Sequence, residues 1–259
     1  KFMPIFRDLA KVISKLIDKN VYTTLYPKLM NRNFRSTSFV KNDYQVPENN
    51  LYIFIHLPKT GGMTFQNVLK RINMEKKEKI YIGAHNPVSI FYSTEEKGYI
   101  TIFRDPIERA YSFYTLNLAG KKQIYHYLAK KSLSYFMRFC PQVQNAYCQY
   151  YSGYIDKDVS EPIYEIALKN LKEFKRIFDF NNLSQDIKNF CEDIDFKINQ
   201  IPHINSSNRD NKNINPNDRK IIEFYNYFDL KLYNEFKNFS PTTNNSHIKP
   251  LKDIDSKNI

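Results

Sequence analysis

The chain has 259 residues, a formal net charge of +12 and 42% hydrophobic residues. This length suits one α/β domain with additions and is enough to bury a sizeable core. No run of about 18 apolar residues occurs, so the sequence predicts no transmembrane segment. The excess of Lys and Arg suits an anionic partner such as a nucleotide, an acidic polymer, an anionic membrane or nucleic acid. These basic residues are spread along the chain rather than clustered, which argues against nucleic acid.

The cysteines indicate a compartment. Cys140, Cys148 and Cys191 are odd in number and lack metal-ligand spacing, as expected for buried free thiols in a reducing environment. A single Cys140–Cys148 bridge stays open as an alternative. We therefore expect a cytoplasmic, bacterial protein, and the alternative is a Golgi-lumenal protein whose N-terminal anchor has been removed.

The N-terminal region begins with an amphipathic pattern. Four apolar residues recur at helical spacing, with Lys and Arg between them: Phe6, Leu9, Ile13 and Leu16. The predicted helix is expected to pack on its own domain, although a membrane surface or a partner protein would suit the same pattern. The chain then divides into a helical extension (1–45), a central domain (46–239) and a polar tail (240–259).

The first half of the central domain alternates strands and helices. Residues 51–56 form an apolar, aromatic run typical of a strand buried on both faces, and a helical pattern follows over 64–73. Short apolar runs at 80–82 and 99–103 predict two more strands. Alternating strands and helices favour an α/β fold, with a mainly parallel central sheet flanked by helices on both faces.

The second half of the domain is mostly helical in its pattern. Residues 124–154 are predicted to be helical and are rich in aromatic side chains. An amphipathic helix is predicted over 161–177, and a short strand follows at 178–180. Two further helices are predicted over 183–194 and 215–239.

A glycine-containing loop follows the first strand. It reads Pro58-Lys59-Thr60-Gly61-Gly62-Met63-Thr64-Phe65 and runs into the next helix. Converging backbone N–H groups, a helix N-terminus and a lysine together suit a phosphate group. In the Walker A pattern the lysine follows the glycines, whereas Lys59 precedes them. We therefore predict a phosphate-binding loop of another kind.

A second polar segment follows the strand at 99–103, beginning with Arg104. Asp105 is a good helix N-cap, and Glu108 completes a capping-box-like pair with it. The helix that begins here also carries Ser112.

Both segments follow the carboxyl ends of strands, where open parallel sheets bind their ligands. Together they offer two cationic side chains, two helix N-termini and several hydroxyl groups. That set suits a nucleotide with phosphate groups at two separate places rather than one triphosphate.

Two motifs resemble those of sulfotransferases that use 3′-phosphoadenosine-5′-phosphosulfate (PAPS). HLPKTGGMTF is similar to their 5′-phosphosulfate loop, and IFRDPIERAYSFY is similar to their 3′-phosphate-binding strand and helix. The pattern is most like that of the heparan-sulfate 2-O/6-O type and related bacterial carbohydrate sulfotransferases. Those enzymes resemble nucleotide kinases in fold, so the resemblance implies a P-loop-like sheet. It covers roughly residues 50–239.

The resemblance also implies roles for particular residues. Lys59 would contact the 5′-phosphosulfate bridge, while Arg104 and Ser112 would hold the 3′-phosphate. GAHNPVSIF resembles the segment that carries the general base of that group, which implies His85. The remaining loop residues implied to bind the nucleotide are Thr60, Gly61, Gly62, Met63, Thr64 and Phe65. Met63 stands where Thr or Ser is often found.

Two looser similarities lie further along the chain. QNAYCQYYSG resembles a family segment whose asparagine, Asn145 here, faces the site. The run from Asp229 to Tyr233 resembles an Asp-x-x-Leu-Tyr pattern near the C-terminal helix of the family.

The implied reaction is transfer of a sulfuryl group from PAPS, a co-substrate, to a hydroxyl of a carbohydrate. A histidine suits removal of the acceptor proton near neutral pH. A lysine can stabilise the leaving phosphate oxygen without a metal ion, so we expect no metal requirement. An acidic glycan would suit the basic charge, but the acceptor and the oligomeric state are left open.

Two other functions stay open. A nucleotide-dependent small-molecule kinase would need Mg²⁺ and a Walker-type loop. A non-catalytic polyanion-binding protein would instead show salt-sensitive binding without nucleotide affinity.

Overall fold

The computed structural model describes residues 50–75, 79–82, 98–120, 123, 125–154, 158–201 and 214–237. The helix predicted within 1–45, the segment that contains His85 and the tail 240–259 lie outside the described residues.

A four-stranded parallel sheet forms the centre of the described protein, in the strand order β2-β1-β3-β4. The strands are β1 (Asn50–Ile55), β2 (Lys79–Ile82), β3 (Gly98–Phe103) and β4 (Arg176–Asp179). The three strands predicted in the first half of the domain are therefore confirmed.

Nine α-helices accompany the sheet within the described residues. They are α1 (Gly62–Glu75), α2 (Pro106–Ala119), α3 (His126–Lys131), α4 (Leu133–Phe139), α5 (Ala146–Ser152), α6 (Glu161–Lys172), α7 (Leu183–Asp193), α8 (Pro216–Tyr225) and α9 (Tyr227–Phe236). Helices lie on both faces of the sheet, as predicted.

Alternation along the strands produces two separate cores. Ile53 and Ile55 of β1 point to one face, where they join a cluster with side chains of α5, α6 and α9. Phe54 points to the other face and packs with side chains of α1 and α7. Because successive strand residues point to opposite faces, a continuous apolar run fills both cores at once. The α/β fold class with a P-loop-like parallel sheet is confirmed.

The helix predicted over 161–177 is shorter in the structure. α6 ends at Lys172, and β4 begins four residues later. The backbone N–H of Lys175 donates to the carbonyl of Tyr99 at 2.9 Å, which starts the pairing of this segment with β3. Pairing with the edge of β3 thus outweighs the helical pattern of residues 173–177.

The single helix predicted over 215–239 is two helices, α8 and α9, with Asn226 between them. The Asn226 side chain donates to the Ile222 carbonyl at 3.0 Å and so closes the first helix. Asn145 Oδ1 accepts hydrogen bonds from the N–H groups of Phe228 and Asp229 at the start of the second. A side chain from a distant segment therefore caps α9, which no local pattern predicts.

The cap is reciprocated by Asp229. Its two carboxylate oxygens accept hydrogen bonds from the N–H groups of Tyr147 and Cys148, each at 2.9 Å, in the first turn of α5. Asp229 is fully buried, and burial raises its pKa while the Arg109 guanidinium and the two N–H groups oppose that shift. The α5 and α9 N-termini are thus locked to each other by one side chain from each.

The three cysteines are free and buried, as the sequence predicted. Burial raises the pKa of each thiol, and that of Cys191 rises to about 11. Within the described ranges, no helix is both long enough and apolar enough to cross a membrane.

Replacing Asp229 tests the reciprocal cap. Asp229→Ala leaves two buried backbone N–H groups without their acceptor and removes the negative charge that offsets the buried Arg109 guanidinium, so we expect a loss of about 3 kcal/mol in the free energy of unfolding. The matched control is Asp193→Ala, which removes an exposed carboxylate paired with Arg176 and should cost less than about 1 kcal/mol. Urea unfolding of both variants measures the difference, and equal losses would contradict the assigned role of Asp229.

Candidate functional site

The strand order places a switch point between β1 and β3. The chain leaves β1 for β2 on one side and then returns to β3 on the other side. In open parallel sheets, ligands bind at the crevice outside the carboxyl ends of the strands at such a point. Lys59 follows β1 and Arg104 follows β3, so both predicted anion-binding segments lie at this crevice.

The loop between β1 and α1, residues 56–61, has an unusual backbone. Lys59 and Gly61 both adopt positive φ angles, 71° and 82°, on either side of Thr60. The Thr60 hydroxyl is buried and donates to the Leu57 carbonyl at 2.9 Å, which closes the loop on itself. Alternating left- and right-handed residues turn successive N–H groups toward a common point, the arrangement that binds anions. A lysine held in the left-handed region carries strain that only a well-supported loop sustains.

The His56 side chain packs against residues on both sides of this loop. Its side chain is buried, stacks on Phe54 and lies 3.0 Å from the Gln66 side-chain nitrogen through Nδ1. The ring fills the space in front of Gly62, where an added Cβ would lie 2.1 Å from the imidazole. The glycine therefore permits the close approach of α1 to β1. These contacts are those of a packing side chain.

Arg104 joins the two strand ends directly. Its Nη1 donates to the Lys59 carbonyl at 3.2 Å, and its Nε and Nη2 donate to Glu108 Oε2 at 3.4 and 3.3 Å. Burial lowers the pKa of this guanidinium, while the Glu108 carboxylate opposes the shift. An arginine remains charged under such conditions. The arginine is thus a cation held against the loop that contains Lys59.

Asp105 caps α2 as predicted, since its Oδ1 accepts from the N–H groups of Ile107 and Glu108. The Glu108 carboxylate bonds to the Arg104 side chain.

Phe180 is a site residue that the sequence did not reveal. It directly follows β4, and its ring lies 4.3 Å from the Arg104 guanidinium carbon. The same ring would lie 3.0 Å from a Cβ added at Gly61. One aromatic ring therefore covers a face of Arg104 and contacts the phosphate-binding loop. The predicted strand at 178–180 had placed this residue inside a strand rather than after one.

The predicted nucleotide-binding residues divide by exposure. Met63 is half exposed and Thr64 partly buried at the start of α1. Phe65 is fully buried among Phe54 and other rings, so its side chain belongs to the core. Ser112 is 6% exposed and lies on α2, eight residues after Arg104.

Asn145 and His85 are the two remaining residues to which the resemblance gave a role. The Asn145 side chain bonds to the start of α9. His85 lies outside the described residues.

Several carboxylates border the same edge of the sheet. Burial raises the pKa of Tyr233 to about 12, and the charges of Asp105, Asp179 and Glu108 add to that shift. Tyr233 therefore lies near the ends of β3 and β4 with its hydroxyl protonated. In the part of the chain that the structure describes, no group of three or more His, Cys, Asp or Glu side chains is arranged to hold a metal ion.

Comparison with protein families decides the relationship. The sulfotransferase family matches residues 42–237, which is most of the chain. The chain belongs to the sulfotransferase family. This sulfotransferase is therefore a transferase, and both predicted anion-binding segments fall inside the matched region. No curated protein gives a significant match to the sequence.

Gly62→Ala tests the approach of α1 to His56. The added methyl group must displace the imidazole, so we expect the free energy of unfolding to fall by about 1–3 kcal/mol. Binding of the nucleotide that the resemblance implies, probed with adenosine 3′,5′-bisphosphate, should weaken as well. Gly120→Ala is the matched control, because its added Cβ meets mainly the flexible Gln123 side chain. Thermal unfolding with and without the nucleotide measures both effects. A normal nucleotide-induced shift in Gly62→Ala would contradict the role of the close contact.

Proposed function

We propose that this sulfotransferase transfers the sulfuryl group of PAPS to a hydroxyl of a carbohydrate acceptor. The observation that carries the proposal is the contact between Arg104 and the Lys59 carbonyl at the switch point of the sheet. It joins two cationic segments, each at the N-terminus of a helix, into one site. A nucleotide with phosphate groups at its 5′ and 3′ positions matches two such segments, whereas a triphosphate chain requires only one.

The loop residues have distinct tasks in this reaction. Lys59 lies at the bridging oxygen of the phosphosulfate, where its charge stabilises the leaving phosphate as the sulfur–oxygen bond breaks. The backbone N–H groups of Gly61, Gly62 and Met63 bind the 5′-phosphate, because the Thr64 N–H already donates to the Gly61 carbonyl at 3.1 Å. The first turn of α1 contains no acidic side chain to oppose the phosphate. Arg104 and Ser112 bind the 3′-phosphate. His85 takes the proton of the acceptor hydroxyl as its oxygen attacks the sulfur.

The net charge of the chain indicates the class of acceptor. The chain has 39 Lys and Arg residues against 27 Asp and Glu residues, and such an excess attracts acidic polymers. We therefore propose an acidic cell-surface or capsular glycan as the acceptor class.

Lys59→Ala tests the leaving-group role. Loss of the charge at the bridging oxygen should lower kcat for sulfuryl transfer by about 100-fold or more. Arg104→Ala should instead raise KM for PAPS. The measurement is transfer of labelled sulfate from PAPS to a panel of acidic and neutral glycans.

Lys70→Ala serves as the control, because Lys70 is an exposed lysine on the same helix that follows the loop. Its kinetics should equal those of the unmodified protein. Transfer that survives in Lys59→Ala at full rate would overturn the site assignment.

His85→Ala separates catalysis from binding. Removal of the base should abolish turnover, while the dissociation constant of adenosine 3′,5′-bisphosphate should stay nearly unchanged. Isothermal titration and turnover assays on the same preparation check both. Loss of nucleotide binding together with activity would assign His85 a structural role instead.

EDTA distinguishes the proposal from a kinase. Transfer that relies on Lys59 rather than a metal ion should continue in EDTA, whereas phosphoryl transfer from ATP would stop. Activity with ATP that requires Mg²⁺ would favour the kinase.

A further inference from the structure

We infer that Tyr147 is a positioning residue for Arg104, and through it for the 3′-phosphate of the nucleotide. This inference rests on the proposed function, since it concerns the same nucleotide. Tyr147 lies on α5, far along the chain from the two phosphate-binding motifs, and within the looser similarity QNAYCQYYSG, which assigned a role to Asn145 alone.

The Tyr147 hydroxyl makes two hydrogen bonds to one residue. It accepts from the backbone N–H of Arg104 at 3.0 Å and donates to the backbone carbonyl of Arg104 at 2.8 Å. Arg104 is the first residue after β3, where the chain leaves the sheet ladder. Both of its backbone groups would otherwise lack the partners that a strand supplies. The hydroxyl therefore fixes the point from which the arginine side chain extends.

Tyr147 is itself held rigidly. It is fully buried, and its ring stacks on Phe103 at 4.8 Å and on Tyr151 at 5.9 Å. Its own N–H donates to Asp229. Burial raises the pKa of the hydroxyl, which thus stays protonated and can donate and accept at once. A functional side chain is oriented well when its supports are as immobile as these.

The remaining supports of Arg104 act on its side chain alone. The Lys59 carbonyl and Glu108 bind the guanidinium, and Phe180 covers one of its faces. The contact between the guanidinium and the Lys59 carbonyl depends on where the Arg104 backbone lies relative to the loop that follows β1. Among the contacts of Arg104 with the described residues, the hydrogen bonds to Tyr147 connect its backbone to a fully buried side chain of α5.

Tyr151 provides a matched comparison on the same helix. It is also a fully buried tyrosine, and its hydroxyl hydrogen-bonds to the Thr101 hydroxyl at 2.8 Å. Thr101 lies inside β3, where ladder bonds already fix the backbone. Loss of either tyrosine hydroxyl removes a buried hydrogen bond and should lower the stability of the fold to a similar extent. Only the loss at Tyr147 should change the placement of Arg104.

The experiment compares two ligands and two variants. Dissociation constants of adenosine 3′,5′-bisphosphate and of AMP are measured by isothermal titration for the unmodified protein, Tyr147→Phe and Tyr151→Phe. We expect the unmodified protein and Tyr151→Phe to share the same preference for the bisphosphate. Tyr147→Phe should lose about tenfold of that preference, corresponding to 1.4 kcal/mol, with little change in AMP binding.

The outcomes separate the inference from the proposed function. If the unmodified protein does not prefer the bisphosphate, the proposed nucleotide is wrong. If it does and Tyr147→Phe retains the full preference, Tyr147 is a core residue only and the inference is overturned. Arg104→Ala combined with Tyr147→Phe should show no further loss of preference beyond Arg104→Ala alone, because both changes act through one guanidinium.

A measurement on the unmodified protein covers the case in which Tyr147→Phe does not fold. Hydrogen exchange of the Arg104 amide reports its bond to Tyr147. If binding of a ligand depends on this hydrogen bond, thermodynamic linkage requires that the bound ligand stabilise the bond and so slow exchange of the amide. Saturation with the bisphosphate should therefore slow the exchange of this amide more than saturation with AMP, and equal protection by the two would overturn the inference.

Discussion

Parallel pairing of β1 with β3 is the constraint on which the site depends. The register sets Ile55, the last residue of β1, opposite Thr101, and β3 continues two residues further to Phe103, so Arg104 follows at the level of the loop that leaves β1. The Thr101 hydroxyl reinforces that register by donating to the Ile55 carbonyl at 2.8 Å across the pair. A shift of one residue would exchange the two cores and separate Arg104 from the Lys59 loop. The positions of the residues at the strand ends therefore depend on core packing several residues earlier in the strands.

Local signals in the sequence predicted a large part of this arrangement. The apolar runs at β1 and β3 identify buried strands because those residues must fill both cores. Asp105, followed by proline, identifies the start of α2 because the cap is made by residues adjacent in sequence. Such features need no knowledge of the rest of the chain. The same holds for the glycines of the Lys59 loop, whose conformation is set within a few residues.

Features that depend on distant partners were not predictable in this way. The break at Asn226 requires Asn145 at the following helix, and the early start of β4 requires a free edge of β3. Phe180 becomes a site residue only when β4 is placed beside β3, since nothing in the sequence around it indicates a contact with Arg104. Tyr147 is likewise recognisable only from its contact with Arg104. Each requires the fold before its role is visible.

The ion pair of Arg104 with Glu108 has a consequence for salt dependence. This cation already has a protein carboxylate beside it and is 8% exposed, so few dissolved counterions gather there before a nucleotide arrives. Binding at a self-neutralised and largely buried site releases few ions and should vary little with ionic strength. An acidic glycan that meets dispersed surface lysines would instead displace many counterions. A salt titration should thus weaken binding of the proposed glycan more than the contact of the proposed nucleotide with Arg104.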